Sequence, residues 1–124
     1  MKKKTMSSSE LAQAIATVAS DKKAENIVML EIGKLSSISD YFVVCSGTSD
    51  RQVRSIADSI RKELRDKGEK TISIEGEDKG HWVLLDYGNV VVHVFHEEDR
   101  AFYQIESLWS DAEKTIFEEK KSVG

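Results

Sequence analysis

The chain has 124 residues, 40% of them apolar and 32% charged, and a formal net charge of -4 at pH 7. That length supports one domain with a real hydrophobic core, and the acidic balance argues against a protein that coats naked RNA or DNA, which usually carries a basic stripe. No apolar run approaches a membrane span, Lys2 to Lys4 are not followed by the apolar stretch of a signal peptide, and the single cysteine, Cys45, forbids an internal disulfide, so a cytoplasmic, reducing compartment is expected.

Residues 1–8 read as a flexible tail. Ser9 can cap a first helix, and Ser7 to Glu10 also fits a capping box begun at Ser7. Leu11, Ala14, Ile15, Val18 and Ala19 follow at helical spacing to about Asp21, with Lys22 and Lys23 complementing the C-terminal dipole. Ile27 to Ile32 reads as a strand, Gly33 to Asp40 as a serine-rich loop, and Tyr41 to Cys45 as a second strand, antiparallel to the first because the connection is short. Ser49 and Gln52 then open the clearest helix. Val53, Ile56, Ala57, Ile60 and Leu64 trace its apolar face, and Gly68 ends it. Thr71 to Ile74 is a third strand, so strand–helix–strand implies a parallel, right-handed crossover. Two strands from Trp82 to His96 fold back on each other around Asp86-Tyr87-Gly88-Asn89, where Gly and Asn tolerate the positive φ of a tight turn. Glu97-Glu98-Asp99 starts a last helix, with Ala101, Phe102, Ile105, Leu108 and Trp109 at helical spacing. The expected fold is of the α/β (α+β) class: a mixed five-stranded sheet with packed helices, in the order α-β-β-α-β-β-β-α. Residues 9–112 form the single domain, and 113–124 a charged C-terminal tail able to form a further, weakly docked helix.

Few constellations could carry chemistry. Ser46 to Ser49 is a small-residue loop at a helix N-terminus, where an anion can bind, but it lacks the Walker lysine and the dinucleotide spacing, so a tight turn plus a cap is favoured. Glu75, Glu77, Asp78 and Asp86 supply oxygen ligands of the kind Mg²⁺ takes, yet no paired carboxylates share a strand face, and a solvated loop explains them better. His93 and His96, three residues apart on a strand, point to opposite faces, which argues against a zinc site. Cys45 closes a strand and reads as a buried structural thiol. Trp82, Leu84 and Asp86 share one sheet face. Trp82 suits core and interface about equally, and Tyr87, beside Gly88 in the turn, is expected to be the more reachable by a partner.

Three stretches resemble the ribosomal silencing factor, or Iojap, family: Ser36 to Val53 (Ser-Ser-Ile-Ser-Asp-Tyr-Phe-Val-Val-Cys-Ser-Gly-Thr-Ser-Asp-Arg-Gln-Val), Trp82 to His96 (Trp-Val-Leu-Leu-Asp-Tyr-Gly-Asn-Val-Val-Val-His-Val-Phe-His), and Arg100-x-Phe-Tyr-x-Ile-Glu-x-Leu-Trp. The likeness runs from about Ser9 to Ala112. It implies a nucleotidyltransferase-like fold without catalysis or cofactor. It also implies binding to the large ribosomal subunit through the fourteenth large-subunit protein, which blocks small-subunit joining and lowers translation when nutrients are short. By resemblance Trp82 and Tyr87 lie on the partner-binding surface, with Leu84, Asp86 and His93 as neighbours. Glu97 stands where many members have proline, and Asn89 where aspartate is common. No membrane and no sequence-specific nucleic acid are implied as partners; a homodimer is compatible. The rival reading is a degenerate nucleotidyltransferase, or nucleotide-binding protein, using Thr48, Ser49 and Asp86. The paired carboxylates of two-metal chemistry are missing from it, since Gly47-Thr48 leads into a helix on which Asp58 stands alone.

Overall fold

The computed structural model describes residues 6–117. Helix α1 spans Ser8–Asp21; strands β1 (Glu25–Glu31) and β2 (Tyr41–Gly47) follow, then helix α2 (Asp50–Asp66), β3 (Ser73–Glu75), β4 (Trp82–Asp86), β5 (Val90–His96), helices α3 (Glu97–Tyr103) and α4 (Ile105–Leu108), and β6 (Glu113–Ile116). The sheet has six strands in the order β3-β4-β5-β2-β1-β6 rather than the five expected. The sixth comes from the segment read as a helical tail: Glu113 to Ile116 pairs antiparallel with β1, Val28 opposite Ile116 and Glu31 opposite Glu113. What makes it a strand is the free edge of β1, because all four of its residues are exposed and no burial pattern marks them. Residues 1–5 and 118–124, the rest of the two expected tails, lie outside the described residues.

Local chemistry explains the helix ends. In α1 the Ser7 hydroxyl accepts from the Glu10 amide, and the Glu10 carboxylate accepts from the Ser7 amide, so the box begins at Ser7 and not at Ser9. In α2 the Ser49 hydroxyl accepts from the Gln52 amide, while the Gln52 side chain reaches one residue further back to the Thr48 amide at 2.7 Å. At its other end Gly68 has φ 93, the Gly68 amide donates to the Arg65 carbonyl, and the Glu69 amide donates to the Leu64 carbonyl. This is the double closure that a left-handed C-terminal glycine permits.

Strands β1 and β2 are antiparallel, as their short connection requires. The crossover differs from expectation. Helix α2 links β2 to a strand of the same direction, but β3 lies at the far edge and pairs only with β4. The parallel neighbour of β2 is β5, Tyr41 opposite Val90 and Gly47 opposite His96. The more apolar hairpin strand takes the central place, where both faces are covered.

The sheet has two unequal faces. On one, α1 and α2 bury Leu11, Ile15, Val53, Ile56, Ile60 and Leu64 against Val43, Cys45, Val83, Leu85, Val92 and Val94. Each fully buried aliphatic contributes on the order of 1.5–3 kcal/mol. On the other, Val28, Leu30, Phe42, Val44, Val91 and Phe95 form a smaller cluster, covered in part by Ile105 and Trp109. The last helix does not run through as its spacing predicts. Gln104 adopts the left-handed conformation (φ 47, ψ 49) and breaks it into α3 and the one-turn α4. Ile105 turns inward, but Phe102 and Leu108, expected on the packing face, are 79% and 78% exposed.

Candidate partner-binding face

The thinly covered face carries the residues singled out in the sequence. Strands β4 and β5 pair Trp82 with Phe95, Leu84 with His93 and Asp86 with Val91. Side chains alternate, so Trp82, Leu84 and Asp86 lie half-buried on the open side, while Val83 and Leu85 are buried under α2. The Trp82 ring stacks on Phe95 at 4.8 Å and meets Tyr103 of α3 at 5.0 Å, and Tyr103 meets Phe102 at 5.1 Å. With Tyr103 49% exposed, these rings extend the hairpin face onto α3. Tyr103 and Phe102 were missed as site residues because helical spacing assigned Phe102 to packing. The adjacent aromatics directly after an acidic helix start were the available signal.

A cleft of about 280 Å³ lined by Glu75, Gly76, Trp82 and Leu84 opens beside the Trp82 ring. Gly76 (φ +84) is required there, since a Cβ would stand 2.0 Å from the Trp82 carbonyl oxygen. Glu75, paired with Leu84 across β3 and β4, adds a carboxylate to the cleft lining. Asp86 holds the turn, its Oδ1 accepting from the Gly88 amide at 2.7 Å.

Two expected contact residues sit differently. Tyr87 is not the reachable one. It is 8% exposed and belongs to the core under α1 and α2, on the opposite side of the sheet from Trp82, because the turn continues the strand alternation and sends position 87 inward with 83 and 85. Burial pushes its phenol up to about 12. His93 is 3% exposed and lies behind Trp82, its Nδ1 accepting from the indole N–H at 3.1 Å. Burial holds its imidazole down to about 4.

The other candidates are structural. The Ser46 hydroxyl accepts from Arg100 Nη1 at 2.9 Å, and Gln52 and Ser49 take up the loop as described, so a turn plus a cap accounts for Ser46 to Ser49. A cleft of about 460 Å³ lies beside Arg100. That guanidinium is committed to Glu106 at 2.9 Å and to the Asn26 carbonyl at 2.6 Å, pinning α3 to the sheet. Thr48 and Ser49 follow the Gly47 end of β2, whereas Asp86 sits at the Tyr41 end. About 20 Å of strand at ~3.3 Å per residue separates them, so they do not converge on one nucleotide. Cys45 is buried and its thiol is pushed up to about 12 by that burial. Among the described residues no group of three or more His, Cys, Asp or Glu could hold a metal ion, and no helix is long and apolar enough to cross a membrane.

Comparison with known proteins agrees with these motifs. The family model described as "Ribosomal silencing factor during starvation" matches residues 5–123. Ribosomal silencing factor RsfS of Halalkalibacterium halodurans is 44% identical over 107 residues, which cover 86% of this chain and 92% of that one. A crystal structure of a Chromobacterium violaceum protein superposes with a TM-score of 0.83 at 34% identity, covering 96% of this chain and 95% of that one. A more distant relative, the mouse protein named "Mitochondrial assembly of ribosomal large subunit protein 1", is 28% identical over 99 residues, or 77% of this chain and 43% of that one. The chain, with its three motifs in order and its fold shared along nearly its whole length, belongs to the ribosomal silencing factor family.

Proposed function

We propose that this protein is a non-enzymatic, cytoplasmic translation repressor. It docks on the large ribosomal subunit through the fourteenth large-subunit protein and occludes the small subunit when nutrients are limiting. The family supports the silencing role, and the mouse relative's printed name supports a large-subunit partner. The observation that carries the reading is the half-exposed Trp82 ring, flanked by Leu84 and Tyr103, on the sheet face that α1 and α2 leave open. An aromatic anchor inside a mixed rim is what an interface hot spot requires, and the net charge of -4, with Glu75 beside Trp82 and Leu84, suits a basic ribosomal surface. Leu84 is a direct contact in this reading, Asp86 shapes the turn, His93 acts from behind the surface, and Tyr87 belongs to the core on the other side of the sheet. A second copy of the chain is the competing occupant of this face, favoured by the exposure of Phe102 and Leu108; light scattering of the free protein addresses it.

Sedimentation with isolated ribosomal subunits tests the reading. Wild-type protein is expected to migrate with the large subunit only, and Trp82→Ala, after its fold is checked by circular dichroism, to lose about 1–2 kcal/mol of affinity. Full affinity in the folded variant would remove Trp82 from the interface. Migration with neither subunit would remove the reading.

A further inference from the structure

Trp82 exposes one part of its ring while its only hydrogen-bond donor points inward. The indole Nε1–H donates to His93 Nδ1 at 3.1 Å, across the diagonal between β4 and β5. The acceptor is itself held. His93 is 3% exposed, its ring stands edge-on to Phe42 at 4.6 Å, and it lies nearly parallel to Phe95, 13° from coplanar at 6.2 Å. Phe95 also stacks under Trp82, inclined by 25°. An accepting Nδ1 requires the neutral tautomer with the proton on Nε2, and that Nε2 is buried with no hydrogen-bond partner. A buried polar atom left unpaired costs about 1–3 kcal/mol, so packing alone does not explain a histidine at this place among phenylalanines. The bond it makes to Trp82 does.

We propose that His93 is a positioning residue for the partner-binding face: it fixes the Trp82 ring in one orientation before binding, and it satisfies the indole N–H so that the partner meets only apolar ring surface. The inference rests on the docking role proposed for Trp82 and adds what sets its orientation and what chemistry it offers. The matching surface on the partner needs a slot for an aromatic face and no acceptor for an indole proton. Pre-organisation of this kind removes the ordering cost of a large side chain at the moment of association.

The test separates this role from a merely structural one. His93→Phe keeps an aromatic ring between Phe42 and Phe95 but removes the acceptor, and His93→Asn restores an acceptor near the Nδ1 position without the ring. In the free protein, the Trp82 indole N–H resonance, distinguished from that of Trp109 with Trp109→Phe, is expected to shift and to exchange with solvent at least tenfold faster in His93→Phe, and to return toward wild type in His93→Asn. Co-sedimentation with the large subunit is expected to weaken about tenfold in His93→Phe, to recover in His93→Asn, and to show no further loss when His93→Phe is added to Trp82→Ala. Unchanged indole exchange in His93→Phe, undiminished binding, or an equal loss in the Trp82→Ala background would each overturn the proposal. If wild-type protein fails to bind the subunit, the docking reading falls on its own, and the indole exchange still decides whether His93 holds Trp82.

Discussion

Tyr87 and His93 are both buried, one in the core under α1 and α2 and the other behind Trp82. The Tyr87 hydroxyl is buried with no hydrogen-bond partner. Removing an unpaired buried hydroxyl costs no hydrogen bond, so Tyr87→Phe should leave stability unchanged or raise it by up to about 1 kcal/mol, with large-subunit binding as in wild type. Urea midpoints and sedimentation would check both, and a selective loss of binding would return Tyr87 to the contact surface. His93 makes a pH prediction. Its folded-state pKa is about 4, below the ordinary 6.5, because burial penalises the charged ring. Between those values the unfolded chain takes up a proton that the folded chain refuses. The stability associated with His93 is therefore fully present above about pH 6.5 and is lost as pH falls toward 4, by roughly 3 kcal/mol over the whole window. Denaturant midpoints measured from pH 7 to pH 4.5 should fall more steeply for the wild type than for His93→Phe; parallel curves would refute the assignment.

At the scale of elements, what could be read in advance is what local chemistry dictates. Helix α2 shows its buried stripe, its serine cap and its glycine stop within its own residues, and the hairpin shows its turn. Strand β6 could not be read this way. Glu113-Lys114-Thr115-Ile116 has no buried face, and it becomes a strand only because β1, some eighty residues earlier in the chain, offers an edge. The break between α3 and α4 was hidden for another reason: Ala101, Phe102, Ile105 and Leu108 do keep helical spacing, and nothing in that pattern announces that Gln104 turns left-handed. A non-glycine residue in that conformation costs about 1 kcal/mol, and the Gln104 side chain makes no cap hydrogen bond in return. Gln104→Gly is accordingly expected to raise the melting temperature slightly, with a net gain of up to about 0.5 kcal/mol after the greater freedom of glycine in the unfolded chain is subtracted. A lowered melting temperature would show that the glutamine side chain supports the break. The candidate site was half legible on the same principle. Period-two alternation placed Trp82, Leu84 and Asp86 together, whereas the inward turn of Tyr87 and the arrival of Tyr103 from another element depend on contacts distant in sequence.

For the molecule as a whole, fold class and strand directions followed from pattern, and strand order did not. No periodicity says that β5 enters the sheet beside β2 while β3 is left at the edge. Net charge also acts at this scale. A chain of net charge -4 should associate with a basic surface at a rate that falls as salt screens the attraction, over a Debye length of about 8 Å at physiological ionic strength. Stopped-flow association with the large subunit should slow with added salt while dissociation changes less, and a salt-independent association rate would locate recognition in the apolar contacts alone. The central place of β5 has a further consequence, in the order of events during synthesis. Tyr41 to Gly47 leaves the ribosome well before Val90 to His96, the strand it must lie against. At about 5–20 residues per second, on the order of several seconds pass while one edge of an apolar strand waits unpaired. Strand β1 covers the other edge early, and α2 can form over the face in the meantime, but the sheet cannot close until the hairpin arrives. A protein built to sit on ribosomes thus depends on one for a delay in its own folding, and slowing elongation between residues 50 and 90 would lengthen the interval in which its nascent chain is most open to aggregation.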